Sequence, residues 1–176
     1  MSIREQISRL RADGELVWLR PKFPGSAMSR VILLTETVRR QILGQHPDNE
    51  TAIRMGRLRQ DLDHFTEGGL ILIARGKNNG CYLKQLNPHS DEIWEIRSRD
   101  PKPSLRLLGS FGETDVFIGL QLVERGELGG YQSQQWKIAI RQCKAEWRRL
   151  FLTYPRFTGE WPHDYVQSDF YTPNDI

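Results

Sequence analysis

Two runs of strict alternation, set on either side of a proline-rich turn, constrain this chain more than any other feature. In Glu92 to Arg99, Trp94, Ile96 and Ser98 alternate with Glu95, Arg97 and Arg99. In Ser104 to Phe111, Leu105, Leu107 and Gly109 alternate with Arg106 and Leu108. A period of two marks β-strands with one face on a core and the other on solvent. Asp100-Pro101-Lys102-Pro103 between them is a turn. Pro103 lacks the N–H that would close a two-residue turn, so a four-residue loop is expected. Either loop centres the hairpin between Pro101 and Lys102. Ile96 then faces Leu107, Trp94 faces Gly109, and Arg97 faces Arg106. Two like charges side by side in a sheet oppose its formation. An anion between the guanidiniums, or a carboxylate such as Glu95 or an aspartate from elsewhere, would relieve them.

Val116 to Val123, VFIGLQLV, is nearly continuous in apolar residues, as suits a central strand buried on both faces. It ends in Glu124-Arg125, and Tyr131 follows at the entry to a long helix. Ser133 to Leu152 carries Trp136, Ile140, Cys143, Trp147 and Leu150 as one apolar stripe. Lys137, Arg141, Lys144 and Arg148 repeat that spacing one position later. Such a cationic stripe is ordinarily a solvated face. Earlier, Ser2 to Ala12 is an amphipathic helix and Glu15 to Arg20 a strand. Arg30 to Leu43 suits a strand at VILLTETV and a helix at ETVRRQIL. A helix from about Glu50 to Thr66 is capped by Asp48 or Asn49.

Composition adds limits. The 176 residues carry a net charge of +3 and a pI near 9.0, which permits a nucleic-acid partner. One domain is expected at this length. Cys81 and Cys143 have no paired spacing, so neither a disulfide framework nor a zinc ribbon is expected, and a reducing cytoplasm fits. The first residues lack the apolar segment of a signal peptide, and no apolar run approaches the ~18 residues of a membrane helix. His46, His64, His89 and His163 are spread singly outside the hairpin, so no metal site, cofactor or catalytic histidine is assigned.

The order of a strand with Arg97, a hairpin to Arg106, a buried strand ending at Arg125, then Tyr131 resembles the C-terminal half of the RelE/ParE toxin superfamily. It is most similar to the RNA-cleaving RelE branch, chiefly over Lys84 to Tyr131. The resemblance implies an α+β fold, a small antiparallel-rich sheet with helices packed on one face. The core would span about 30–152, with a helix–strand extension at 1–29 and an aromatic, acidic tail at 153–176. It implies a metal-independent endoribonuclease that cuts mRNA, in a ribosome-dependent way, by attack of the 2′-OH on the adjacent phosphate. Its partners would be mRNA, the ribosome and a cognate antitoxin. Arg106 and Arg125 would clamp the phosphate, Arg97 would neutralise charge near the attacking oxygen or lower a neighbour's pKa, and Tyr131 would orient the nucleophile or stack on a base. Glu95 shares the face of Arg97 and is either the general base or its salt-bridge partner. Lys84, Arg99 and Lys102 would follow the RNA backbone. The alternatives are a non-enzymatic ParE-like binder of DNA gyrase, or an accessory protein of a phage or mobile element that keeps only the fold. The tail, rich in aromatics, is expected to pack back on the body. It would either contribute aromatic packing or lay Asp164 or Asp169 as a phosphate mimic on the cationic stripe or in the arginine cleft.

Overall fold

A computed structural model describes residues 2–76, 80–130 and 133–173. Its elements, in chain order, are helix α1 (Ile3–Ala12), strands β1 (Leu16–Trp18) and β2 (Val31–Thr35), helices α2 (Glu36–Leu43) and α3 (Asn49–Thr66), strands β3 (Ile71–Ala74), β4 (Leu83–Gln85), β5 (Trp94–Ser98), β6 (Leu105–Glu113) and β7 (Val116–Glu124), the long helix α4 (Gln134–Phe151), the one-turn helix α5 (Pro162–Tyr165) and strand β8 (Phe170–Tyr171). The protein is mixed α+β, and its strands form one sheet in the order β1-β2-β7-β6-β5-β4-β3-β8. No helix among the described residues is long and apolar enough to cross a membrane.

The hairpin has the register its alternation dictates: Trp94 opposite Gly109, Ile96 opposite Leu107 and Arg97 opposite Arg106. The connection is longer than four residues, because the paired strands stop at Ser98 and resume at Leu105. At the next position out, a side chain takes over from the backbone ladder, with Ser104 Oγ donating to the Arg99 carbonyl at 2.8 Å. β7 is central, antiparallel to β6 and parallel to β2. The ambiguous Arg30–Leu43 stretch is both things in turn. Thr35 closes β2 and caps α2, its side chain accepting from the Val38 N–H.

One expectation is corrected. The sheet is antiparallel-rich, with four of its seven strand pairings antiparallel, but it is not small with helices on one face: it has eight strands among the described residues and helices on both faces. On one side Ile96, Leu107, Phe111 and Phe117 pack with Val38 of α2 and Leu58, Leu62 and Phe65 of α3. On the other, Leu33, Leu108, Ile118 and Leu120 pack with Ile7 and Leu10 of α1 and Cys143, Trp147 and Leu150 of α4. The N-terminal extension is therefore part of the body, since β1 lengthens the sheet beside β2 and α1 covers it. The tail packs back on the body through its aromatic residues, as expected. Tyr165 is fully buried on the α3 side, against Trp94 and Phe111 at ring distances of 4.6 and 5.4 Å. Its hydroxyl donates to Glu92 Oε2 at 2.7 Å, and β8 pairs with β3. Buried Arg30 ties the same segment down by donating to the carbonyls of Gly69 (3.0 Å), Ser168 and Asp169 (3.2 Å). Asp164 caps its own short helix, accepting from the N–H groups of Glu160 and Trp161 at 2.8 Å. Beyond Tyr154, which packs beside Trp147 of α4, the tail supplies aromatic packing through Phe157, Tyr165 and Phe170 on the opposite face, and neither Asp164 nor Asp169 acts as a phosphate mimic there.

Cys143 sits within the α4 side of the core, fully buried. Burial pushes its thiol up from the ordinary 9.0 to about 12, with the nearby Glu146 adding to the effect. A thiol held neutral in the fold stabilises it fully below pH 9.0 and progressively less as pH rises towards about 12, because the unfolded chain ionises first. Urea midpoints followed across that window should fall, and Cys143→Ala should flatten the fall.

Candidate functional site

The face of β5 that alternates away from Trp94 and Ile96 does not reach solvent freely. α4 lies over it, so residues read as wet are largely enclosed: Glu95 is 1 % exposed and Arg106 8 %. The reason is non-local. Alternation shows which residues share a face, and the cover arrives with the apolar stripe of a helix some 30 residues later in the chain. Enclosed cations must be paired. Glu95 provides the pairing, as Arg97 Nε donates to Glu95 Oε1 at 2.8 Å and Arg106 Nε lies 3.3 Å from Glu95 Oε2. The relief of the cross-strand arginine pair is therefore a carboxylate from the same hairpin. Burial lowers the Arg106 pKa, Glu95 offsets that, and Arg97, Arg125 and Arg99 push further down. The Arg106 Nη1 is spent on the Leu105 carbonyl at 2.8 Å.

Between α4 and this end of the sheet opens a cleft of about 1060 Å³. Its floor is Lys84, Glu95, Arg97 and Arg106. Lys84 stands opposite Glu95 across β4 and β5, so both share one face. One wall is α4, which presents Trp136, Lys137, Ile140, Arg141 and Lys144. Leu86 to Pro88 and Asp91 face it, and Arg125 closes the end. Arg125 opens a 3-10 turn after β7. Its backbone N–H donates to the Ser104 carbonyl at 2.7 Å and its Nη1 to the Gly129 carbonyl at 2.6 Å. Its guanidinium lies 5.7 Å from the centre of the Trp136 ring, a cation–π contact that leaves its remaining donors for the cleft.

Seven basic side chains line this cleft against two carboxylates, Asp91 and Glu95. The carboxylates are occupied, Asp91 by Lys144 at 2.5 Å and Glu95 by the two arginines. Lys84, Lys137, Arg141 and Arg125 have no carboxylate within 4 Å among the described residues. In a cleft with low-dielectric walls such cations focus a positive field that draws in a polyanion. Arginine guanidiniums also offer paired donors matched to phosphate oxygens.

Of the residues singled out in the sequence, Lys84, Glu95, Arg97, Arg106 and Arg125 meet in the cleft. Arg99 and Lys102 do not line it. They stay at the hairpin turn, Arg99 Nη2 donating to the Cys81 carbonyl at 3.2 Å and Lys102 Nζ to the Arg99 carbonyl at 2.9 Å. Tyr131 lies outside the described residues. The residues that sequence reasoning left aside are those of α4. Their signal was present as the cationic stripe beside the apolar one, but nothing local says that the stripe overhangs a cleft. Trp136 was read only as core, although it carries Arg125. Cys81, buried behind Arg97 and accepting from its Nη1 at 3.4 Å, also gave no signal. No family model, no curated protein and no solved structure matches this chain.

Proposed function

We propose that the cleft holds the sugar–phosphate backbone of RNA and cleaves it by attack of a ribose 2′-OH on the adjacent phosphorus. The new P–O bond closes a 2′,3′-cyclic phosphate as the 2′-OH gives its proton to water, and the bond to the 5′ oxygen breaks, that oxygen taking a proton from water. Charge builds on the non-bridging oxygens, so fixed cations aimed at them lower the barrier. Arg125 is the strongest clamp, being free of any carboxylate among the described residues. Arg106, half-committed to Leu105 and Glu95, assists it, and Arg97 adds charge from the floor. Glu95, engaged by both arginines, is better suited to positioning them than to taking a proton. The carrying observation is the convergence of unpaired cations with an arginine pair in one enclosed cleft.

The resemblance of Lys84 to Tyr131 to the RelE branch adds the finer proposals, an mRNA substrate cut on the ribosome and an antitoxin that neutralises the protein. A second reading, a ParE-like binder without chemistry, draws on the fact that both cleft carboxylates are tied to cations. Inducing the chain in a bacterial host and mapping mRNA ends separates the two. Codon-spaced cuts support the nuclease. Intact mRNA with blocked DNA replication supports the binder.

A further inference from the structure

A second pocket, of about 380 Å³, lies at the far end of α4. Trp147 and Arg148 come to it from the helix, Ser90 from the segment after β4, and Tyr154, Arg156 and Thr158 from the start of the tail. Lys137, Arg141, Lys144 and Arg148 are spaced four, three and four residues apart, so they form one row on α4. At the rise of a helix the row is about 16 Å long. It runs out of the large cleft and into this pocket, since Lys144 lines the first and Arg148 the second.

The charge along the row is not uniform. Lys144 is cancelled by Asp91, which stands between the two openings. On the cleft side, Lys137 and Arg141 have no acid within 4 Å among the described residues. On the far side the same holds for Arg148, which is exposed, and for Arg156. The Arg156 Nε is buried without a hydrogen-bond partner. Glu92 also lines this pocket, but its Oε2 is turned inward and occupied, accepting from Tyr165, Gln85 and Trp94 at 2.7, 3.0 and 3.4 Å. The molecule therefore presents two positive points on one line with a neutral gap between them. Like charges gathered this way oppose each other unless an anion joins them.

We infer that this pocket is a subsite for a flanking phosphate of the same single RNA strand that occupies the cleft, held by Arg148 and Arg156. It rests on the reading of the cleft as an RNA site and extends it. The ligand must be a strand long enough to cross the neutral gap at Lys144–Asp91, and a short oligonucleotide should be confined to the cleft.

The test is fluorescence anisotropy of the full chain with 2′-O-methyl oligouridylates, which lack the attacking hydroxyl, from a trinucleotide to a dodecanucleotide. Arg148→Glu is at an exposed position, so the fold should hold. It should weaken dodecanucleotide binding about 10-fold and leave the trinucleotide unchanged, and the salt dependence for the long strand should drop by about 0.7 in slope, one phosphate contact. Arg141→Glu, in the cleft wall, should weaken both lengths. Equal weakening of both lengths by Arg148→Glu, or of neither while Arg141→Glu weakens both, overturns the subsite and leaves the cleft reading standing. Absence of binding at every length by the unaltered chain overturns the cleft reading and the subsite together.

Discussion

Arg125→Ala is expected to lower RNA cleavage about 10²-fold, the size of effect seen when a preorganised donor to a developing oxyanion is removed. Stability should change little. The backbone contact of Arg125 to Ser104 survives truncation, and what is lost is one hydrogen bond to Gly129 and the cation–π contact with Trp136. Arg106→Ala should cut activity as well, but with a different signature. Its side chain is enclosed and shares Glu95 with Arg97, so its removal leaves a buried carboxylate with half its partners. Cleavage assays paired with thermal unfolding distinguish the two variants. If Arg125→Ala cleaves as well as the unaltered chain, Arg125 is not the clamp.

Glu95→Ala should be the most destabilising single change in the site, by about 3–5 kcal/mol, as when one partner of a buried ion pair is deleted. The register explains why. Arg97 and Arg106 are opposite one another across β5 and β6, and Glu95 is the carboxylate that both address. Without it, two enclosed cations face each other with no carboxylate between them among the described residues. Glu95→Gln keeps the shape and an acceptor oxygen and should recover part of the loss. Urea unfolding measures both. A loss under about 1 kcal/mol for Glu95→Ala would mean that water or movement relieves the arginines, and that Glu95 is not what holds them. If Glu95→Gln folds well yet abolishes cleavage, proton transfer by Glu95 becomes the better account.

How far the sequence carried these conclusions differs by element. The β5–β6 register was legible because strand alternation and the centre of the turn are both local, and they agree. The α4 helix was legible because its apolar stripe runs through about four turns. The burial of Arg97 and Arg106 was not, since it depends on where α4 lands. The tail was read as packing back, but its landing face was open. The choice is made by Tyr165, whose ring fits Trp94 and Phe111 while its hydroxyl reaches Glu92, a match between residues far apart in the chain. The same holds for β2. Its parallel pairing with β7 joins segments separated by nearly half the chain, and neither strand's own pattern names its neighbour. Arg99 and Lys102 were placed beside the cleft because they are close to Arg97 in sequence. The turn carries them away from it, towards Cys81 and Ser104.

The most direct measurement is end analysis of RNA incubated with the purified chain and ribosomes, in a buffer whose metal content is varied independently of ribosome integrity. New fragments should carry 2′,3′-cyclic or 3′-phosphate ends and 5′-hydroxyls, at a rate that Arg125→Ala reduces about 10²-fold. Fragments with 5′-phosphate ends, or RNA that stays bound and uncut, would contradict cleavage by the 2′-OH in the arginine cleft.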